Sequence, residues 1–399
     1  MKSWKNNIIL VFFAVLLIGC FIPGRLFSTR FLDESIALLL FCVLVATYLK
    51  KYNGWRKFAT CTSFLAVIAV FTFYFIQSAF WGSNTFPAVL YDALVEFKPF
   101  VGFFSVLLLA PHFTQKQRKF LKYLCIIPIA FGLIAAFGGQ IWLLLEHPAR
   151  FAFLFTVCAL IFIWLSEINV QNIIIFFAIL AVGFLSTRSK FYGFFAFSLF
   201  IWLYYLCKKD IQFKKTDIWL FVIALAGVII VALPKFNMYF LDEQFLSVEY
   251  MDSRKVLFST AFQIANDHFP LGSGFGSFGT DASTRILSPI YEQYGILAEN
   301  GELPICTCDS LSAALLAQFG YLGVCLFLLF WGYILRKTYR LAVRNNNKKL
   351  FIIGISIVAF FIIETFSDST FTQNRGLLVM MLLAFVILDF RHKSQDTRY

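Results

Sequence analysis

Apolar runs bounded by charged or turn-forming residues recur along this chain at about 8–22, 33–49, 58–79, 97–111, 119–137, 151–166, 172–186, 190–207, 217–233, 311–335, 349–366 and 376–390. Each is about as long as the roughly 20 residues that carry a helix across a hydrocarbon core. The pattern predicts an all-α, polytopic integral membrane protein of about 12 transmembrane helices, forming a single membrane domain over residues 1–399. The fourth run is the least regular, because Asp92, Glu96 and Lys98 stand at its entrance. An embedded Glu96 or Lys98 is expensive enough to imply a role.

Composition gives the same class. Hydrophobic residues make up 60% of the chain against 14% charged, with 53 Phe, so lipid is the expected solvent for most of the surface. Ile8 to Cys20 follows two lysines as a signal peptide would, but Phe21-Ile22-Pro23-Gly24-Arg25 offers no small-x-small cleavage site, and a retained first helix is expected. Most cysteines lie within apolar runs and read as small hydrophobes. Cys306 and Cys308 do not, yet their spacing is too tight for an ordinary disulfide and lacks the second pair of a zinc site.

Charge orients the helices. Lys2 and Lys5, the 50–57 and 116–122 clusters, Lys208 to Lys215, Arg336 to Lys349, and Arg391 to Arg398 all fall on one side of a twelve-helix threading. This positive-inside pattern places both termini in the cytoplasm. The net charge of +12 is thereby a topology signal, with no nucleic-acid partner implied. The same threading leaves 234–308, a loop of about 75 residues between helices 9 and 10, outside the membrane, where such length usually signals function. Within it a helix is expected over 253–268, capped by Asp252 or Ser253, striped by Leu257, Ala261, Ile264 and Ala265, and stopped by Pro270. A Gly-rich segment, 269–279, follows.

Candidate chemistry lies among the few cations on the outer side. Arg188 and Lys190 sit in a bare hairpin between two apolar helices, where they either snorkel to lipid phosphates or form a fixed anion site. Arg254 opens the loop helix, where the helix dipole disfavours a cation unless a bound phosphate or a carboxylate such as Asp252 compensates. Arg150 and Arg285 are possible further contacts. Gly272, Gly274 and Gly276 lack the strand-then-helix setting of a dinucleotide fingerprint and read as glycines that let backbone pack tightly over a site. His268 is either an acid or base or the C-terminal cap of its helix. Asp309 is either the N-cap of helix 10 or a carboxylate placed for proton transfer.

These residues are similar to a family. Ser186-Thr187-Arg188-Ser189, Arg254 through Gly276 with Asp267-His-Phe-Pro-Leu-Gly272-Ser-Gly274, and Asp309-Ser with Gln318-Phe-Gly-Tyr-Leu-Gly323 resemble three elements of the O-antigen polymerase and O-antigen ligase superfamily of bacterial membrane glycosyltransferases. Where ligases carry a histidine, this chain has Asp309, so the resemblance points to the polymerases, with a ligase as the alternative. It implies metal-independent glycosyl transfer, without a cofactor, from an undecaprenyl-diphosphate-linked oligosaccharide to an acceptor glycan. It also implies a chain-length regulator protein as a partner. Arg188, Lys190 and Arg254 would take the diphosphate, Asp309 would be the base with His268 as substitute, and Gly272, Gly274, Gly276, Arg150 and Arg285 would add contacts. A lipid-linked oligosaccharide flippase shares the helix number and an anion site, but should show comparable halves and charge near the bilayer midplane.

Overall fold

The computed structural model describes residues 2–22, 31–49, 61–208, 211–212, 214, 219, 253–297, 301, 303, 308 and 310–396. In chain order its α-helices are α1 (Lys2–Gly19), α2 (Leu32–Leu49), α3 (Thr62–Trp81), α4 (Phe86–Leu109), α5 (Gln115–Leu124), α6 (Ile126–Phe137), α7 (Ile141–Leu145) and α8 (Pro148–Leu165). They continue with α9 (Val170–Val182), α10 (Ser189–Cys207), α11 (Ser253–Asp267), α12 (Asp281–Arg285), α13 (Pro289–Gln293), α14 (Leu311–Asn345), α15 (Lys348–Thr365) and α16 (Asn374–Asp396). Two 3₁₀ turns, Gly183–Ser186 and Thr370–Thr372, complete the set, and no strand occurs among the described residues. Among the described residues six stretches are long and apolar enough to cross a membrane: α2, α3, the α5–α6 run, α8, α10 and α14. Large apolar side chains on their outer faces, such as Phe80, Trp81 and Phe137, stay exposed, as lipid-facing residues do.

Burial divides the helices into centre and rim. Residues Leu377–Leu388 of α16 are all buried, so this helix runs through the middle of the bundle against α4. α8 is similarly enclosed, and both are apolar on every side, as a helix surrounded by other helices must be. At one end of the bundle the basic segments meet: Arg118 pairs with Asp389 at 2.6 Å, Lys349 Nζ donates to Trp164 O at 2.8 Å, and Lys348 Nζ donates to Lys208 O. The ends of α8, α10, α15 and α16 that carry Arg150, Lys190, Glu364 and Arg375 lie at the other.

Several boundaries differ from the sequence expectation, four of them near the loop or at charged positions. The fourth helix begins at Phe86, eleven residues before the expected 97, because Asp92, Glu96 and Lys98 are buried interior residues of α4. Lys98 is held by Asp33 and by Glu34, the latter at 2.5 Å, so charge that read as a boundary is a pairing across helices. The fifth helix starts at Gln115, where Thr114 and Gln117 form a capping box. The tenth, expected over 311–335, runs to Asn345 and bends sharply at Gly320 (φ 60°, ψ −165°). The loop helix ends at Asp267, one residue short of the expected 268, with Leu257, Ala261, Ile264 and Ala265 buried against α14. Apart from Trp219, the expected helix at 217–233 and the loop start at 234 lie outside the described residues, as do Asp252 and Cys306.

Candidate functional site

The turn between the Gly183–Ser186 3₁₀ turn and α10 presents Arg188 and Lys190, with Thr187 in the left-handed region (φ 54°) redirecting the chain. Lys190 Nζ lies 2.7 Å from Glu364 Oε2 and 3.0 Å from Asp368 Oδ2. Arg375 Nη2 approaches the other oxygen of Asp368 at 3.3 Å, and Thr370 Oγ1 donates to Glu364 Oε2 at 2.9 Å. Lys190 is thus spent on two carboxylates rather than waiting for a ligand. Arg188 is different: among the described residues it has no carboxylate partner, and its Nη2 stands 2.8 Å from Nε2 of His147. Arg150, one turn further into α8, is paired with Glu146 at 2.7 Å.

Electrostatics inside this cluster are strongly biased. Burial pushes the Asp368 carboxyl up, but Arg375 and then Lys190 outweigh it and hold the group down at about 2. His147 is shifted down, first by burial and then by the Arg188 charge, which favours the neutral ring. Counted as formal charges, Arg188, Lys190 and Arg375 against Glu364 and Asp368, with Arg150 balanced by Glu146, leave +1. Nη1 of Arg375 is buried with no hydrogen-bond partner among the described residues.

Asp309 itself lies outside the described residues, but both its neighbours are placed. Ser369 Oγ donates to Cys308 O at 2.6 Å, and Ser310 Oγ to Phe366 O at 3.4 Å. The residues flanking Asp309 therefore dock on the 366–369 turn, the same turn whose Asp368 holds Lys190. Thr284, on α12, lies 3.9 Å from the Cys308 thiol. Arg285 on that helix pairs with Asp281 at 2.6 Å, and Asp281 also accepts from Tyr91 at 2.8 Å. Arg254 lies in the first turn of α11.

The glycine-rich segment is inserted into the bundle rather than draped over it. Gly272 N–H donates to His268 O, Ser273 N–H to Ala317 O, Gly274 N–H to Gln318 O, Phe275 N–H to Ser78 Oγ and Gly276 N–H to Asp92 Oδ2, at 2.7–2.9 Å. Every one of these amides is taken by a protein acceptor, so Gly272, Gly274 and Gly276 pack backbone and do not cradle a ligand through it. A methyl group on Gly272 would sit 2.6 Å from Ala317 O, which is why this position needs no side chain. His268 caps the turn through its carbonyl, which accepts from Leu271 and Gly272. Its ring makes no hydrogen bond to the Arg188–Lys190 cluster among the described residues.

An apolar cavity of about 470 Å³ lies between α3, α4 and α14, lined by Val70, Phe71, Phe275, Leu315, Phe327 and Phe371 among others. Glu96 is the carboxylate on its wall. Phe371, on the Thr370–Thr372 3₁₀ turn, stands three residues after Asp368 in the chain. The sequence pattern alone does not reveal His147, Glu364 or Asp368, whose partners are 41 to 178 residues away in the chain. Glu364, within the apolar run 349–366, is the one visible signal, as an acid embedded where only a partner makes it tolerable.

The chain matches no model of a known protein family and no curated protein.

Proposed function

We propose that this protein is a polymerase of lipid-linked oligosaccharides, joining undecaprenyl-diphosphate-borne repeat units on the outer face of a bacterial inner membrane. The observation that carries the reading is a convergence: the Arg188 hairpin, through Lys190, and the segment around Asp309 both meet the 366–369 turn, and Thr284 of the long loop lies against Cys308 next to it. The 366–372 segment gives Asp368 to a net-positive cluster and Phe371 to the lining of an apolar cavity, an arrangement suited to a ligand with an anionic head and a hydrocarbon tail. The gathering of Arg118, Lys208, Lys348 and Lys349 at the opposite end favours the twelve-helix topology with both termini in the cytoplasm.

In this reading the acceptor hydroxyl attacks the anomeric carbon of the donor glycan as the bond from that carbon to the diphosphate breaks. The bonding pair leaves with the diphosphate oxygen, and the hydroxyl proton passes to Asp309. Arg188 and Arg254 stabilise the charge that develops on the leaving group. Lys190 acts through Glu364 and Asp368, fixing the turn, rather than as a direct ligand.

The test is the length distribution of surface polysaccharide, resolved on a gel, from cells deleted for the gene and complemented with wild type, R188A, R254A or D309A. Single repeat units in the deletion, with long chains restored by wild type and not by the variants, are expected. Long glycan stranded on undecaprenyl diphosphate would indicate a ligase, and full complementation by all three variants would exclude this site.

A further inference from the structure

His147 is the N-cap of α8, and its Nδ1 accepts the amide hydrogen of Ala149 at 3.1 Å. A backbone amide only donates, so Nδ1 must carry a lone pair, and the neutral ring then bears its proton on Nε2. That Nε2–H faces Nη2 of Arg188 at 2.8 Å, and a guanidinium has no acceptor. Two donors therefore point into one place with nothing among the described residues to receive them. Protonating the ring makes matters worse, since it removes the acceptor of Ala149 N–H and sets a second charge beside Arg188. The wider cluster shares the shortage: Arg375 Nη1 is buried without an acceptor among the described residues, while Glu364 and Asp368 are committed to Lys190, Thr370 and Arg375.

We propose that His147 Nε2–H and Arg188 Nη2–H form a two-donor seat for one oxygen of a phosphate group, so that His147 positions the phosphate next to the bond that breaks. A phosphate also supplies further oxygens for the donors left over nearby. The role in the reaction rests on the polymerase reading above; the seat itself rests on the donor geometry. Burial and the neighbouring Arg188 keep the ring neutral, the form the seat requires. His147 is a positioning residue: the proton on Nε2 stays there throughout.

Two substitutions separate this role from helix capping. H147N retains an oxygen near the position of Nδ1 and remains a strong N-cap, but its side chain stops short of Nε2. H147Q reaches that place with an amide N–H while giving up the cap. The full chain in phosphatidylcholine nanodiscs is titrated with inorganic diphosphate and with farnesyl diphosphate, and Tm is recorded for each variant. H147N should bind about tenfold more weakly than wild type, the loss expected for one hydrogen bond to an anion, with Tm unchanged. H147Q should lose Tm and keep affinity within about threefold.

Wild-type binding by H147N, equal weakening in both variants, or no binding of either diphosphate by wild type overturns the proposal. Displacement of the diphosphates by phosphatidylglycerol nanodiscs identifies the occupant as a bilayer headgroup and overturns the role in transfer. Diphosphate binding with the expected variant pattern, in a protein whose deletion leaves polysaccharide length untouched, retains the seat and removes the polymerase reading.

Discussion

Gly320→Ala tests how the long loop is locked into the bundle. Gly320 breaks α14 at φ 60° and ψ −165°, a region close to glycine-only, so any other residue there starts with a strain of about 1–3 kcal/mol. Its new methyl group would lie 2.6 Å from Gly272 N and 2.8 Å from Pro270 C, closer still to Pro270 O, where ordinary contact begins at 3.4 Å. These are backbone atoms, so relief requires the 270–272 segment to shift by the better part of an ångström. That shift loosens Ser273 N–H to Ala317 O (2.9 Å), Gly274 N–H to Gln318 O (2.8 Å) and Leu322 N–H to Pro270 O (3.2 Å). At about 1 kcal/mol for each bond, the total is on the order of 4–6 kcal/mol. Gly332→Ala, in the same helix with nothing within 4 Å of the added carbon, is the control and should stabilise by about 0.5–1 kcal/mol. Thermal unfolding and hydrogen exchange in the 268–280 segment read both. A Gly320→Ala protein with wild-type Tm and unchanged protection in that segment would refute the insertion.

Lys190→Met should cost about 3 kcal/mol in unfolding, because it leaves Glu364 and Asp368 buried without their shared cation; adding Glu364→Gln should recover more than half, measured by Tm. Asp368 has its carboxyl depressed to about 2, so the stability it contributes is complete above the ordinary carboxylate range and is lost as pH falls from about 4 through about 2. This amounts to about 2–3 kcal/mol, and the Tm gap between wild type and Asp368→Asn should narrow over that interval. Leu315→Trp fills part of the apolar cavity. On the polymerase reading, excluding two methylenes of a lipid tail, worth about 0.8 kcal/mol each, lowers donor affinity about tenfold at unchanged Tm, read by farnesyl diphosphate titration.

Apolar periodicity located the helices well because a lipid-facing or buried helix advertises itself at every position: α2, α8, α10 and α15 begin and end within a few residues of the runs that predicted them. It failed where charge is internal. Lys98 interrupts an apolar run in the sequence and yet sits in the middle of α4, since Asp33 and Glu34, 64 residues or more away, remove the cost of burying it. The loop helix was legible from the Leu257–Ala265 stripe and Pro270, both local signals. Arg188 and Lys190 stood out as isolated cations between two apolar runs, but their different roles did not, because Glu364 and Asp368 are distant in sequence. His147 carried no signal at all: a histidine before a proline describes an N-cap, and only the position of Arg188 makes it more.

Phe371 and Asp368 lie three residues apart in the short connection between α15 and α16, the first lining the apolar cavity and the second paired with Lys190. Anything that wedges the cavity wall outward also tugs on the anchor of Lys190, and the reverse. On the polymerase reading proposed above, selectivity for tail and selectivity for head group are then not separable design variables. Under that reading, laboratory evolution toward a shorter carrier should recover substitutions in pairs, one at Phe371 or Leu315 and one between Asp368 and Arg375, with each member of a pair deleterious on its own.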